Sequence, residues 1–272
     1  MEKGLREEDI KLYRRKGQYI LMDKEVIKRQ IDHANLKKNE TVLEVGPGFG
    51  ALTFKLAEKA SKVIAIEKDV RLFSYLKSRI PSNVELINAD VLKIELPKFE
   101  VVVSNLPYQI SSPITFKLLN HKFSRAILMY QKEFAQRILA KCGENGYSRL
   151  SVNVYYKAKC RLLESVPREA FYPIPKVDSS IIEIIPREAP FPIENEELFL
   201  RVVETLFGQR RKKIKNSLTK LIAYELEKSG IYSKLKLNEI IQDLPFTDCR
   251  VEKLSPERIA ILANNLHHAL YH

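Results

Sequence analysis

Short apolar runs, each ended by a glycine, an amide or an acid, fill the first half of the chain, whereas helical periodicity takes over in the last third. Thr41-Val-Leu-Glu-Val45 has the length and β-branched content of a buried strand, and Gly46-Pro47-Gly48-Phe49-Gly50 follows it as a turn. Apolar positions recurring at helical spacing from Ala51 to Ala60 then predict a helix. The same rhythm continues with strands at Lys62–Ile66, Val84–Ile87 and Val101–Val103. Glu67, Asp90 and Ser104-Asn105 stand where those strands run out. Further strands are expected at Leu150–Tyr156, Cys160–Ser165 and Ser180–Ile185, completing a mixed sheet. Pro186-Arg-Glu-Ala-Pro190-Phe-Pro192 is a proline-punctuated linker. Beyond it the period is helical at Glu194–Phe207, Lys212–Lys228 and Lys236–Asp243, and a last helix is opened by Ser255 as N-cap and Pro256 in the first turn. The expected organisation is an α/β domain over residues 1–187 and a small helical domain over 188–272.

The residues at the strand ends carry the chemistry. Glycines at 46 and 48 allow positive φ and let a ligand approach the backbone, and a helix N-terminus behind them favours an anionic group. The G-x-G-x-G spacing departs from the G-x-G-x-x-G dinucleotide fingerprint by one place, which leans away from NAD. Glu67 lies 21 positions after Gly46, where an acid can accept from ribose hydroxyls. Asp90 is placed to hold an adenine amine. Asn105-Leu106-Pro107-Tyr108 suits methylation of an exocyclic adenine amine, a poor nucleophile whose lone pair is delocalised into the ring. Two acceptors, the Asn105 side-chain oxygen and the carbonyl of Pro107, draw the nitrogen toward tetrahedral geometry, and the ring of Tyr108 can stack on the base.

These segments, together with Gly17-Gln18-Tyr19-Ile20-Leu21-Met22-Asp23, the run Glu44–Thr53, Gln109-Ile-Ser111 and Phe171-Tyr-Pro-Ile-Pro-Lys-Val-Asp-Ser179, resemble the KsgA family of small-subunit ribosomal RNA adenine dimethyltransferases over nearly the whole length. The resemblance implies a Rossmann-like class I methyltransferase sheet that uses S-adenosylmethionine and releases S-adenosylhomocysteine. It implies that Gln18, Tyr19 and Leu21 line the cofactor pocket, that Gly46 and Gly48 approach the methionine part, and that Glu67 and Asp90 bind ribose and adenine. Asn105, also beside the cofactor, and Pro107 would then hold the target amine, with Tyr108 and Phe171 stacking on the target base. Tyr19-Ile20 and Gln109 look like the archaeal and eukaryotic branch, since bacterial members typically have Asn-Phe and Asn there. The implied reaction is dimethylation of two neighbouring adenosines near the 3′ end of small-subunit rRNA during ribosome biogenesis. The related Erm large-subunit methyltransferases tend to have Asn-Ile-Pro and to lack Gly-Pro-Gly, so Leu106 and Pro47 favour the small-subunit reading. A DNA adenine methyltransferase would typically carry a second proline in place of Leu106, and a catalytically silent assembly factor is opposed by the intact catalytic positions.

Charge agrees with an RNA partner. Lys and Arg number 46 against 34 Asp and Glu, a formal net charge of +12 over 272 residues, which attracts a polyanion. Arg210, Arg211, Lys212, Lys213 and Lys215 put five cations into six positions within the helical-looking stretch, and Lys11, Arg14, Arg15 and Lys16 form a second cluster beside the cofactor segment. Both are expected to contact phosphate on small-subunit rRNA or a pre-ribosomal small subunit. Cys142, Cys160 and Cys249 form no C-x-x-C pair and the five histidines no ligand set, so thiols are expected reduced and no metal is indicated. No signal peptide or membrane-length apolar run stands out, and a cytoplasmic monomer is expected.

Overall fold

The structure, a computed structural model, describes Leu12 and residues 17–271, and Lys11, Arg14, Arg15 and Lys16 therefore lie outside the described residues. It divides into two compact units: one comprises residues up to Ala135 together with Ala158–Pro186, and the other Gln136–Lys157 together with Arg187–His272.

The first unit is built on a seven-stranded sheet. Its strands are β2 (Thr41–Val45), β3 (Lys62–Glu67), β4 (Val84–Asn88), β5 (Val101–Asn105), β6 (Arg125–Gln131), β7 (Ala158–Val166) and β9 (Ser179–Pro186), in the order β4-β3-β2-β5-β6-β9-β7. The first five are parallel, and β9 runs antiparallel to both of its neighbours. A separate antiparallel pair joins β1 (Ile20–Leu21) to β8 (Phe171–Tyr172). Helix α1 (Lys24–Ala34) leads into β2, and α2 (Ala51–Ala57), α3 (Val70–Lys77) and α4 (Ser111–Leu119) connect β2 to β3, β3 to β4 and β5 to β6. Because a parallel sheet is covered on both faces, its strands read as continuous apolar runs, and Val101, Val102 and Val103 are each fully buried. The pattern above therefore locates β2 to β5 well, while α2 closes at Ala57 rather than Ala60.

Strand order reverses between β2 and β5, because β2 leads to β3 on one side and β5 to β6 on the other. Backbone pairing between them is limited to Val42 with Val101 and Leu43 with Val102. Two residues further on, the Ser104 hydroxyl donates to the Val45 carbonyl (2.7 Å) and accepts from the Val45 N–H (3.3 Å). A side chain inserted there holds the strand ends apart, and open α/β sheets bind ligands at such a switch point.

The second unit has its own core. Helices α7 (Glu196–Phe207), α8 (Ile214–Lys228), α9 (Lys234–Asp243) and α10 (Pro256–Tyr271) bury Phe199, Leu218, Ile222 and Leu266 among others. Asn195 and Ser233 cap α7 and α9 by accepting from Leu198 and Lys236 N–H groups, and Ser255 receives the Arg258 N–H at the start of α10.

One expected strand is a helix: Leu150–Tyr156 lies within α6 (Arg149–Lys157). Valines and tyrosines there mimic a strand composition, but Val152 and Tyr156 pack into the second unit's core and Tyr147 donates its hydroxyl to the Leu254 carbonyl (2.8 Å). Tertiary burial overrides the local preference. The stretch Gln136–Lys157 accordingly groups with the helical unit rather than with the sheet.

Candidate functional site

A cavity of about 580 Å³ opens at the carboxyl ends of β2 to β5, in the first unit. Its wall brings together Gln18, Tyr19, Gly46, Gly48, Glu67, Asp90, Asn105, Pro107, Tyr108 and Phe171, residues spread over more than 150 positions of sequence. Its size and mixed lining are those of a small-molecule site.

Gly46 and Gly48 have φ of 72° and 61°, a conformation that side chains strain. A Cβ on Gly48 would stand 2.9 Å from the Ile20 side chain, and one on Gly46 would stand 3.1 Å from the Pro107 ring. Glycine here is thus a packing requirement as well as a dihedral one.

Glu67 ends β3 almost wholly buried. Its carboxylate accepts from the Asp69 N–H (2.7 Å) and, less closely, from the Gly48 N–H (3.3 Å). Burial raises its pKa and those backbone donors oppose the rise. A buried acid with lone pairs to spare seeks further donors, which vicinal hydroxyls supply. Asp90 is differently placed: Lys68 Nζ (2.9 Å) and the Leu92 N–H (3.1 Å) hold it, and the Lys68 ammonium keeps its pKa below the ordinary carboxylate value. Gln18 is oriented by Asp69, to which its side-chain amide donates (2.9 Å). Lys68 and Asp69, which also line the cavity, escape the motif reading; their proximity to Glu67 and the N-cap of α3 supplied by Asp69 are the signals that could find them.

Asn105 is the last residue of β5. Its side-chain oxygen is buried and has no hydrogen-bond partner among the described residues, an arrangement costing about 1–3 kcal/mol unless something else donates to it. The strand end is fixed from behind: Gln30, fully buried on α1, donates to the Ser104 carbonyl (3.4 Å). Pro107 follows at φ −58°, and its carbonyl already receives the Ile110 N–H (3.0 Å), leaving one lone pair. Tyr108 is anchored through its hydroxyl to the Ser179 hydroxyl (2.7 Å), so the segment 171–179 braces the wall at both ends. Burial raises the Tyr108 pKa, which keeps it a neutral phenol. The Tyr19 ring stacks on that of Tyr108 (centroids 5.4 Å, 28° between planes), so a base stacking on Tyr108 uses the other face.

Two expectations need correction. Leu21 is 4% exposed and belongs to the core rather than the cavity wall; β1 alternates, so Ile20 faces the glycine turn and Leu21 pairs with Phe171 below it. Arg210, Arg211 and Lys212 are not helical, because α8 starts only at Ile214 and the cations occupy the turn before it and its first residues. Arg210 pairs with Glu252 (3.6 Å), and Lys213 and Lys215 both pair with Asp248 (3.0 and 2.9 Å). Arg211 and Lys212 are exposed and have no ion-pair partner among the described residues. The first N–H groups of α8 are also taken, by the carbonyls of Cys249 and Thr247. What the turn presents to solvent is therefore side-chain charge rather than these backbone donors.

None of the three cysteines forms a disulfide, and among the described residues no group of acids, histidines or cysteines could hold a metal ion. No described helix is long and apolar enough to cross a membrane.

Known proteins agree with this geometry. The chain is 48% identical over 244 residues, 89% of its length and 88% of the relative's, to a probable ribosomal RNA small subunit methyltransferase A of Thermococcus sibiricus. It is 44% identical over 253 residues, 92% and 91% of the two chains, to one of Methanosarcina acetivorans. A crystal structure of a dimethyladenosine transferase from Plasmodium falciparum superposes with a TM-score of 0.78 at 31% identity, covering 92% of this chain and 98% of that one. The 23S rRNA methyltransferase ErmE superposes with a TM-score of 0.64 at 30% identity, covering 91% and 99%. The family model described as ribosomal RNA adenine dimethylase matches residues 10–252, a span that takes in the whole cavity wall and the basic turn, and the chain belongs to that family.

Proposed function

We propose that this protein dimethylates the 6-amino group of two adjacent adenosines near the 3′ end of small-subunit rRNA during ribosome biogenesis. The observation that carries the reading is the buried, unpartnered side-chain oxygen of Asn105 on the wall of a cavity at the sheet's switch point. An amine that brings its own N–H satisfies that acceptor, and a second acceptor is at hand in the Pro107 carbonyl's free lone pair, with the Leu106 carbonyl one residue away. Sharing both hydrogens with acceptors makes the nitrogen more nucleophilic, so no strong general base is required.

S-adenosylmethionine supplies a methyl group already activated on a sulfonium. The chain's task is therefore alignment, which converts an encounter into an internal step. Glu67 receives the ribose hydroxyls, Asp90 with its Lys68-held carboxylate lies at the adenine end, and the side-chain-free turn at Gly46 and Gly48 admits the methionine part beside Gln18 and Tyr19. The target adenosine must leave its stack to reach Asn105, and the free face of Tyr108 together with the ring of Phe171 receives it. Arg211 and Lys212 provide the salt-sensitive part of RNA affinity. The protein acts as a cytoplasmic monomer on rRNA or a pre-ribosomal small subunit.

Labelled S-adenosylmethionine offered with unmodified small subunits, large subunits and DNA, followed by mapping of the label, tests this reading. Label is expected on the 6-amino groups of small-subunit adenosines. Label confined to large subunits would replace it with the resistance-methyltransferase reading that the ErmE likeness keeps in view. Cofactor binding without transfer to any of the three would leave an assembly factor.

A further inference from the structure

The two residues of β8 face opposite ways. Phe171 is 4% exposed and lines the cavity, whereas Tyr172 is 66% exposed, more than any other aromatic residue described. Directly across the pair from Tyr172 stands Ile20, itself on the cavity wall, so Tyr172, which does not line the cavity, is paired with a residue that does. Neither its ring nor its hydroxyl has a partner among the described residues. A lone exposed aromatic is ordinary; this one continues into exposed Ile174, Lys176 and Val177. Pro173 and Pro175 sit between them, restrict the backbone and lower the ordering cost of binding. Lys176 has no ion-pair partner among the described residues.

A base swung into a cavity leaves its neighbour in the strand without a stacking partner on one side. An exposed aromatic residue paired with a wall residue, followed four residues later by a cation without an ion-pair partner among the described residues, matches the stacking-plus-phosphate pattern by which proteins hold single-stranded nucleic acid. Resting on the function proposed above, we infer that Tyr172 stacks on the base next to the target adenosine, with Lys176 contacting the adjoining phosphate. This deepens that reading by assigning a subsite for the flanking nucleotide. Tyr172 is thus a positioning residue for the RNA and takes no part in the chemistry of the amine.

The test compares Tyr172→Ala, Tyr172→Phe and Asn105→Ala on unmodified small subunits, and on an rRNA fragment made abasic at the positions flanking the target. Tyr172→Ala is expected to raise KM for RNA roughly 5- to 100-fold, with kcat, affinity for S-adenosylmethionine and thermal midpoint kept. Tyr172→Phe should restore KM, because the ring and not the hydroxyl is used. Removing the base that stacks should cost the wild type a similar factor and add nothing to the Tyr172→Ala loss. An unchanged KM in Tyr172→Ala, an equal loss in Tyr172→Phe, or full additivity with the abasic site would each overturn the subsite. Retained transfer in Asn105→Ala would instead overturn the proposed function, so the two failures are distinguishable.

Discussion

The end of β5 and the turn before α8 both present polar groups suited to RNA, yet they stand in opposite states. At the end of β5, the Asn105 oxygen is buried without a partner and Glu67 is an acid kept from water. In the turn before α8 and its first residues, three of five cations already hold acids, and the remaining two, Arg211 and Lys212, lie in solvent. The first arrangement stores a cost that only a ligand of the right shape removes, so it gives directional recognition. The second has little to release and acts through charge at a distance, so it gives attraction that salt screens.

Asn105→Ala tests the stored cost most severely. Loss of one preorganised group that acts on the reacting atom is expected to lower kcat by about 100- to 1,000-fold, while titration calorimetry finds affinity for S-adenosylmethionine unchanged. A variant that turned over nearly as fast as the parent would erase the distinction between the two regions.

A smaller effect distinguishes them by pH. Glu44, in β2 just before the glycine turn, is 2% exposed, and burial raises its pKa from the ordinary 4.5 to about 8, with the neighbouring Glu67 adding to the rise. The folded chain therefore holds a proton that the unfolded chain releases above 4.5. The stability this confers is whole below that value and is lost as pH climbs through about 8, at no more than about 1.4 kcal/mol per pH unit. Thermal midpoints should fall over that window in the parent and stay flatter in Glu44→Gln. Equal slopes would show that this buried end is not under the strain ascribed to it.

The smallest effect belongs to the basic turn. Replacing Arg211 and Lys212 with Gln should reduce the log–log salt slope of RNA binding by up to about two units. Replacing the acid-paired Lys213 and Lys215 should reduce it less. Equal reductions from the two pairs would mean that the ion pairs with Asp248 open on binding and that the turn is not divided as described.

Much of the cavity is legible in the chain because parallel strands are buried on both faces and announce themselves as apolar runs, with functional residues at their ends. Thr41–Val45 and the strands ending at Glu67, Asn88 and Asn105 needed no tertiary information beyond that. Where an element is short or its burial comes from elsewhere, the chain is silent. Ile20 and Leu21 form a two-residue strand, and nothing local says which one meets the glycine turn. Leu150–Tyr156 has a strand's composition and a helix's partners.

The chain by itself determined the chemistry: a glycine turn, acids at two strand ends, an amide before a proline and a tyrosine, and an excess of cations, since side-chain type and local spacing are properties of the covalent sequence. Only the tertiary structure decided which of those groups stay unsatisfied. The Asn105 oxygen is an orphan because Ser104 bridges to β2 and the cavity supplies no donor, and three cations are quiet because Asp248 and Glu252, far along the chain, fold back onto them. Hydrogen bonds and ion pairs depend on distance in space, which the order of residues does not state.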